Sequence, residues 1–196
     1  MPTDTPARED QGAEPAPQIY SATARFFHWT TVVLIIFMIV TGQVMTYRGK
    51  DLNIWDSLTN GLYSSHKLVG FIVLWFIVAR LLYRVFAGAP AHAASLSPAQ
   101  KTASSVVHWA LYALLIAMPL AGWAGVSMFP ARDIFGLFSL PALTGVDKEG
   151  ASLAFLVHFY LGAAIAVFVT IHVTAAIYHA AIARDGVFQR MWPRKS

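Results

Sequence analysis

Four runs of apolar residues, roughly 26–45, 68–86, 106–128 and 153–182, dominate this chain of 196 residues. Each reaches the ~20 residues that a helix needs to cross ~30 Å of hydrocarbon. No aspartate or glutamate falls inside any of them. In lipid every backbone N–H and C=O must find its partner within the protein, which leaves helices and closed barrels. These runs are continuous and lack the alternation of barrel strands, so the expected fold is an all-α membrane protein, a bundle of four transmembrane helices. Composition agrees: 57% of the residues are hydrophobic and 12% are charged, where a soluble domain carries about 25% charged.

The basic residues orient the bundle. With the N-terminus placed inside, the inner flanks hold Arg8, Arg25, Arg80, Arg84, Lys101, Arg184, Arg190, Arg194 and Lys195, against Arg48, Lys50, Lys67, Arg132 and Lys148 outside. That bias places both termini in the cytoplasm. The first run follows a mixed-charge tail, is too long for the core of a signal peptide and lacks a small-residue cleavage site, so it is expected to remain as a helix. The net charge of +4 is mostly explained by these flanks, and nothing in it points to nucleic acid. Trp29, Trp75, Trp109 and Trp123 lie toward span ends, Trp75 deeper than the rest, as interfacial anchors often do.

Residues 1–19, rich in Pro, Ala and charge without a periodic face, are expected to be a mobile cytoplasmic tail, with 20–196 forming one membrane domain. Within the outer loops, "NIWDSL" suits a short surface helix and "ARDIFGLFSLP" a segment along the membrane surface. In the inner loop, "SLSPAQK" predicts a helix start with Ser97 as N-cap and Pro98 in the first position.

The chain has no cysteine, which excludes thiolate haem ligation, covalent c-type haem and cysteine-bound iron–sulfur clusters. It has seven histidines, and a histidine inside a membrane helix is read as functional by default. His158 and His172 share the fourth helix. Their separation of 14 residues falls only ~40° short of four turns and spans ~21 Å of axis, so both imidazoles leave one face near opposite leaflets. His28 opens the first helix at the inner side and His66 the second at the outer side. Depth therefore pairs His28 with His172 and His66 with His158.

Two cross-helix histidine pairs stacked through a membrane are what two bis-histidine b-type haems require, one in each leaflet. Zinc is a weaker alternative, because His158 and His172 are too far apart to share one metal. His108 opens the third helix at a depth similar to His28, and spacing leaves it a rival ligand. His179, seven residues beyond His172 on the same face, lies nearer the cytoplasm, where a haem propionate, a quinone headgroup, lipid or water would meet it. His92 sits in a loop and is read as solvent-exposed.

The motifs "FFHW", "SHKLVG", "VVHWALY", "HFYLG", "IHVTAAIYH" and the ending "QRMWPRKS" together resemble the bacterial cytochrome b561 family, four-helix dihaem proteins whose members include superoxide:ubiquinone oxidoreductases. The resemblance runs from about Tyr20 to the C-terminus. It implies that His28 and His172 hold an inner haem, that His66 and His158 hold an outer one, and that His108 matches a histidine that is not an iron ligand.

Arg80 and Arg84 match a basic pair in the family and are shaped for carboxylates such as inner-haem propionates; positive-inside anchoring explains them equally. Lys67 is a candidate for outer propionates or for attracting an anion. Gly42, Gly70, Gly122, Gly125 and Gly162 would make room for macrocycles or for close helix packing. The implied activity is electron transfer from superoxide to ubiquinone in the bacterial inner membrane. The alternative is a membrane carrier or anchor subunit linking quinone to a periplasmic cytochrome c, dehydrogenase or hydrogenase. The outer basic residues would steer an anion, but Asp51, Asp56, Asp133, Asp147 and Glu149 balance them in sequence, so only their arrangement in space decides.

Overall fold

A computed structural model of the chain describes residues 18–193. The expected tail lies outside the described residues except for Gln18 and Ile19, as do Arg194 and Lys195. Long helices form where the apolar runs are: α1 at Ala22–Thr46, α2 at Ser57–Ala87, α3 at Pro98–Met128 and α4 at Lys148–Ile177. Wider π-helical turns, Tyr47–Asp51 and Tyr178–Ala183, extend α1 and α4. With those turns the four apolar helices run for 30, 31, 31 and 36 residues and are long and apolar enough to cross a membrane. At the helical rise this is about 45–54 Å, so their polar ends extend beyond ~30 Å of hydrocarbon.

Side chains start each helix by accepting a backbone N–H that the helix leaves without a partner. Ser21 caps α1 through Ala24, Asp56 caps α2 through Thr59, and Asp147 caps α4 through Glu149. Ser97 and Gln100 form a reciprocal capping box at α3, with Pro98 in the first position as its sequence predicts. The "NIWDSL" segment holds no helix of its own. Its Asp56 is instead the cap of α2, and Ser57 and Leu58 already belong to that helix.

The helices run up and down, α1 packing on α2, α2 on α3 and α3 on α4. The apolar centre draws on all four: Met38 from α1, Val73 and Ile77 from α2, Leu115 from α3 and Ile165 from α4. Ile165 lies seven residues from both His158 and His172, so this plug sits midway between the two histidine depths. Outward faces carry exposed Val33, Ile36, Trp75, Phe86, Phe159 and Ile182, a surface that only lipid tails cover without cost. Buried Thr31 and Thr41 return their hydroxyls to the carbonyls of Phe27 and Phe37 at 2.6 and 2.8 Å, which satisfies them without a partner helix.

At one end, here the hairpin end, Asp133–Ile134 (β1) and Phe138–Ser139 (β2) pair antiparallel. The turn between them uses left-handed backbone at Phe135 and Gly136. The "ARDIFGLFSLP" segment therefore folds back on itself and anchors in the bundle through Ile134 and Leu140, both buried.

The opposite, terminal end is tied by Arg190. Its guanidinium donates to the carbonyls of Gln18 and Ala91, both at 2.7 Å, while its own carbonyl accepts from Tyr20 N–H at 3.2 Å. Beside it, Trp29 Nε1 donates to the Met191 carbonyl at 2.9 Å. One residue thus joins the start of the described chain, the α2–α3 connection and the C-terminal segment. Arg190→Ala is expected to cost on the order of 2 kcal/mol, because hydrogen bonds from a charged donor are worth more than neutral ones. For a chain of this size that lowers the thermal midpoint by roughly 4–8 °C. Thermal scans in detergent check it, and an unchanged midpoint would show that the clasp contributes nothing.

Candidate cofactor site between the helices

Four histidines meet in two cross-helix pairs. His66, early in α2, faces His158, early in α4, with ring centroids 6.2 Å apart and planes at 75°. His28, early in α1, faces His172, late in α4, at 6.1 Å and 66°. In an up-and-down bundle α2 and α4 run the same way, so their early residues meet at one end, while α1 runs opposite to α4, so its start lies beside the end of α4.

The second nitrogen of each hairpin-end imidazole is already committed. His158 Nδ1 lies 2.8 Å from the Met118 carbonyl. Since a carbonyl only accepts, Nδ1 carries the proton and Nε2 keeps its lone pair. His66 Nδ1 lies 3.2 Å from the Thr41 hydroxyl, whose own proton goes to Phe37 O at 2.8 Å. That leaves the hydroxyl oxygen to accept from His66, with the same consequence for the tautomer. Such outer partners fix the ring and raise its basicity as a ligand.

Two glycines seat these rings. A Cβ at Gly122 would lie 2.9 Å from His158 Nδ1, and one at Gly42 would lie 3.1 Å from His66 Cε1. The same test puts Gly70 against Met38 and Gly125 against Phe155, whereas a Cβ at Gly162 meets nothing within 4 Å. Of the glycines weighed in the sequence, two thus lie against the histidines and two against packing side chains, while Gly162 has open space beside it.

The terminal-end site is more crowded. His108 lies 5.2 Å from His172, centroid to centroid, closer than His28 does. Its Nδ1 donates to the Ser104 carbonyl at 2.6 Å. Arg80 Nη2 lies 3.1 Å from His28 Nδ1, and its guanidinium carbon sits 5.5 Å from the centre of the Tyr112 ring. Arg84 lines two small cavities at this end, of about 80 and 40 Å³. The larger also takes in His92, Ser105 and His108; Arg80, Tyr83 and Tyr112 line the smaller. His179 borders neither, because its Nδ1 is 2.7 Å from Asp185 Oδ2 and both side chains are largely buried. His92 Nε2 meets the Ser105 hydroxyl at 3.3 Å.

Bis-histidine haem can be tested against these distances. Two imidazole–metal bonds of ~2.0–2.1 Å in line, with ~1.1 Å from each nitrogen to its ring centre, set centroids ~6.3 Å apart. Both cross-helix pairs fit that spacing, while His108 and His172 are too close for in-line ligation of one iron. At the hairpin end the tautomers fit as well, since both Nε2 lone pairs are free. At the terminal end His28 fits once its Nδ1 carries the proton, a tautomer in which Arg80 no longer donates to it. Among the described residues no cluster of three or more His, Asp or Glu could hold a metal ion directly.

The basic residues of the hairpin end are largely engaged in structure. Arg48 pairs with Asp56 at 2.6 Å and donates to the Thr59 hydroxyl at 3.0 Å. Hydrogen bonds from Thr59, the backbone N–H first, and then from Arg48 hold the Asp56 carboxyl below the usual carboxylate range, so that pair is charged at neutral pH. Lys67 donates to the carbonyls of Ala131 and Asp133, pinning the hairpin. Arg132 donates to the Leu140 carbonyl at 2.6 Å. Sequence singles out Lys67 by its place beside His66 and Arg132 by its charge; their backbone partners carry no sequence signal.

Comparison with known proteins finds relatives along nearly the whole chain. A family model described as prokaryotic cytochrome b561 matches residues 19–194. A protein of Escherichia coli (strain K12) named cytochrome b561 homolog 2 is 29% identical over 182 residues, covering 92% of this chain and 94% of its own. A Yersinia pestis protein named probable superoxide oxidase CybB is 24% identical over 177 residues, covering 90% and 97%. Cytochrome b561 homolog 1 of the same E. coli strain is 23% identical over 180 residues, covering 90% and 98%.

Proposed function

The chain belongs to the prokaryotic cytochrome b561 family, a membrane electron-transfer family, and on that premise we propose that it passes electrons from superoxide to ubiquinone through two b-type haems. The observation that carries this reading is the recurrence of one histidine pairing at two depths, at 6.2 and 6.1 Å. His66 and His158 hold the hairpin-end haem, and His28 and His172 hold the terminal-end one. Haem iron supplies reversible one-electron chemistry; the protein supplies the ligands, their tautomers and the apolar surroundings. In the balance, two superoxide anions each lose one electron and leave as dioxygen, while one ubiquinone gains two electrons and two protons.

This chain's own residues have separate tasks. Met118 and Thr41 keep the hairpin-end imidazoles as neutral, aligned ligands. Arg84, beside the terminal-end cavities, is placed for a propionate carboxylate. The basic flanks put the terminal end in the cytoplasm of a bacterial inner membrane and the hairpin end outside. The donor class is supported by the relative named a probable superoxide oxidase, and the acceptor by the family resemblance.

A second reading has its own observation. Arg48, Lys67 and Arg132 are bound to other groups of the protein, which weakens the case for steering a small anion and favours a periplasmic redox protein as donor. Stopped-flow mixing of the oxidised, haem-loaded protein with superoxide separates the two. Haem reduction within the mixing experiment, followed by reoxidation when ubiquinone is added, is the expected result. Absence of reduction by superoxide, alongside rapid reduction by a periplasmic cytochrome c, would overturn the first reading.

A further inference from the structure

The two histidine pairs differ in what touches their outer nitrogens. At the hairpin end both partners accept a proton: the Met118 carbonyl from His158 at 2.8 Å and the Thr41 hydroxyl from His66 at 3.2 Å. Donation from Nδ1 leaves a ring richer in electrons, a better ligand for the oxidised metal. At the terminal end the neighbour is Arg80, whose guanidinium stays charged at any physiological pH. It lies 3.1 Å from His28 and is held against the Tyr112 ring. Among the described residues no protein carboxylate pairs with Arg80, so no protein group in contact cancels its charge. Tyr112 retains the cation whichever nitrogen of His28 carries the proton.

A fixed positive charge in a low-dielectric interior favours whichever state of a nearby redox group has one positive charge fewer. For an iron centre that is the reduced state. Among the described residues the hairpin-end pair has no such contact: the cation adjacent to it in sequence, Lys67, turns its ammonium to the hairpin carbonyls. The two sites are alike in ligands and unlike in charge.

We propose that Arg80 is a positioning residue that sets the direction of electron flow: held against Tyr112 beside His28, it makes the terminal-end haem the stronger electron acceptor of the two. The proposal rests on the ligation given above. It turns the asymmetry of the bundle into a downhill path from the hairpin end to the terminal end.

Redox titration of the full-length, haem-loaded protein tests it, following the two b-type transitions in the parent, Arg80→Leu, Arg80→Gln and Arg80→Lys. The terminal-end transition is the one that disappears in His28→Ala, and the hairpin-end transition the one lost in His66→Ala. In Arg80→Leu and Arg80→Gln the equilibrium for reducing the terminal-end haem relative to the hairpin-end haem is expected to fall about tenfold or more, a shift of about 59 mV for one electron. In Arg80→Lys, which keeps the charge, it stays within about threefold. The hairpin-end transition does not move in any of them.

An unmoved terminal-end transition in Arg80→Leu, or an equal shift of both transitions, would overturn the proposal. So would loss of the terminal-end haem from both neutral variants, since Arg80 would then be a requirement for loading rather than a tuning charge. If His28→Ala and His66→Ala instead remove the same transition, the ligation itself has failed and this inference falls with it.

Discussion

His66→Ala and His158→Ala are each expected to lose the hairpin-end haem and keep the terminal-end one, leaving about half of the parent's b-type absorbance per protein. His28→Ala and His172→Ala leave the complementary half. A double change across the pairs, such as His66→Ala with His172→Ala, leaves none. The expectation follows from geometry: each iron needs two imidazoles in line, and each pair is supplied by two helices with no third imidazole at suitable spacing. His108 is the control. Its ring is 5.2 Å from His172, too near for a shared iron, so His108→Ala should retain both haems. Quantitative haem-to-protein ratios on the purified variants decide the matter. Two haems retained after both single changes at the hairpin end would sink the ligation.

Gly122→Val should produce a comparable loss at the hairpin end without touching a ligand. A Cβ there would stand 2.9 Å from His158 Nδ1 and 3.0 Å from Cε1, closer than such contacts occur, and valine adds two methyl groups in the same space. The ring must move, which breaks its 2.8 Å bond to the Met118 carbonyl. Loss of an outer partner of a metal-bound histidine lowers affinity by about 10–100-fold, and overpacking adds about 1–3 kcal/mol of strain. Gly122→Ala falls between parent and valine. Gly145→Ala, in an exposed loop where an added Cβ meets nothing within 4 Å, should bind both haems as the parent does. Haem titration of the apoprotein reads this directly; equal affinity in Gly122→Val and Gly145→Ala would show that the seat under His158 has no such role.

The bundle was legible in the sequence because hydropathy is a local property. A run of about 20 apolar residues without acid has few stable alternatives in lipid. The pairing of His28 with His172 and of His66 with His158 was legible because helical rise is regular: counting residues from a span's end gives depth. The start of α3 at Ser97 and Pro98 was legible because capping is carried by residues adjacent in the chain.

Other features depend on contacts between segments far apart in sequence. The hairpin at Asp133–Ser139 forms in a segment with no strand-like alternation, held by burial of Ile134 and Leu140 in the bundle. The Met118 carbonyl and Thr41 hydroxyl that orient the ligands are a backbone atom and an ordinary helix threonine, and neither residue type signals such a role. Depth placed His108 level with His28, but only packing shows that it crowds His172. Charge singled out Lys67, Arg48 and Arg132, but their partners in the hairpin-end loops determine that much of their donor capacity is engaged. His179 shares a helical face with His172 by count, and a π-helical turn beside Asp185 gives it a partner that counting does not reveal.

Sequence alone determined the number of helices, their alternating direction and the depth of every histidine, since hydropathy and helical rise act along one segment at a time. The tertiary structure decided how closely the paired imidazoles approach, which nitrogen of each hairpin-end ring is engaged and that Arg80 lies beside His28. Those depend on the rotation and approach of neighbouring helices, which are set by packing between side chains far apart in the chain.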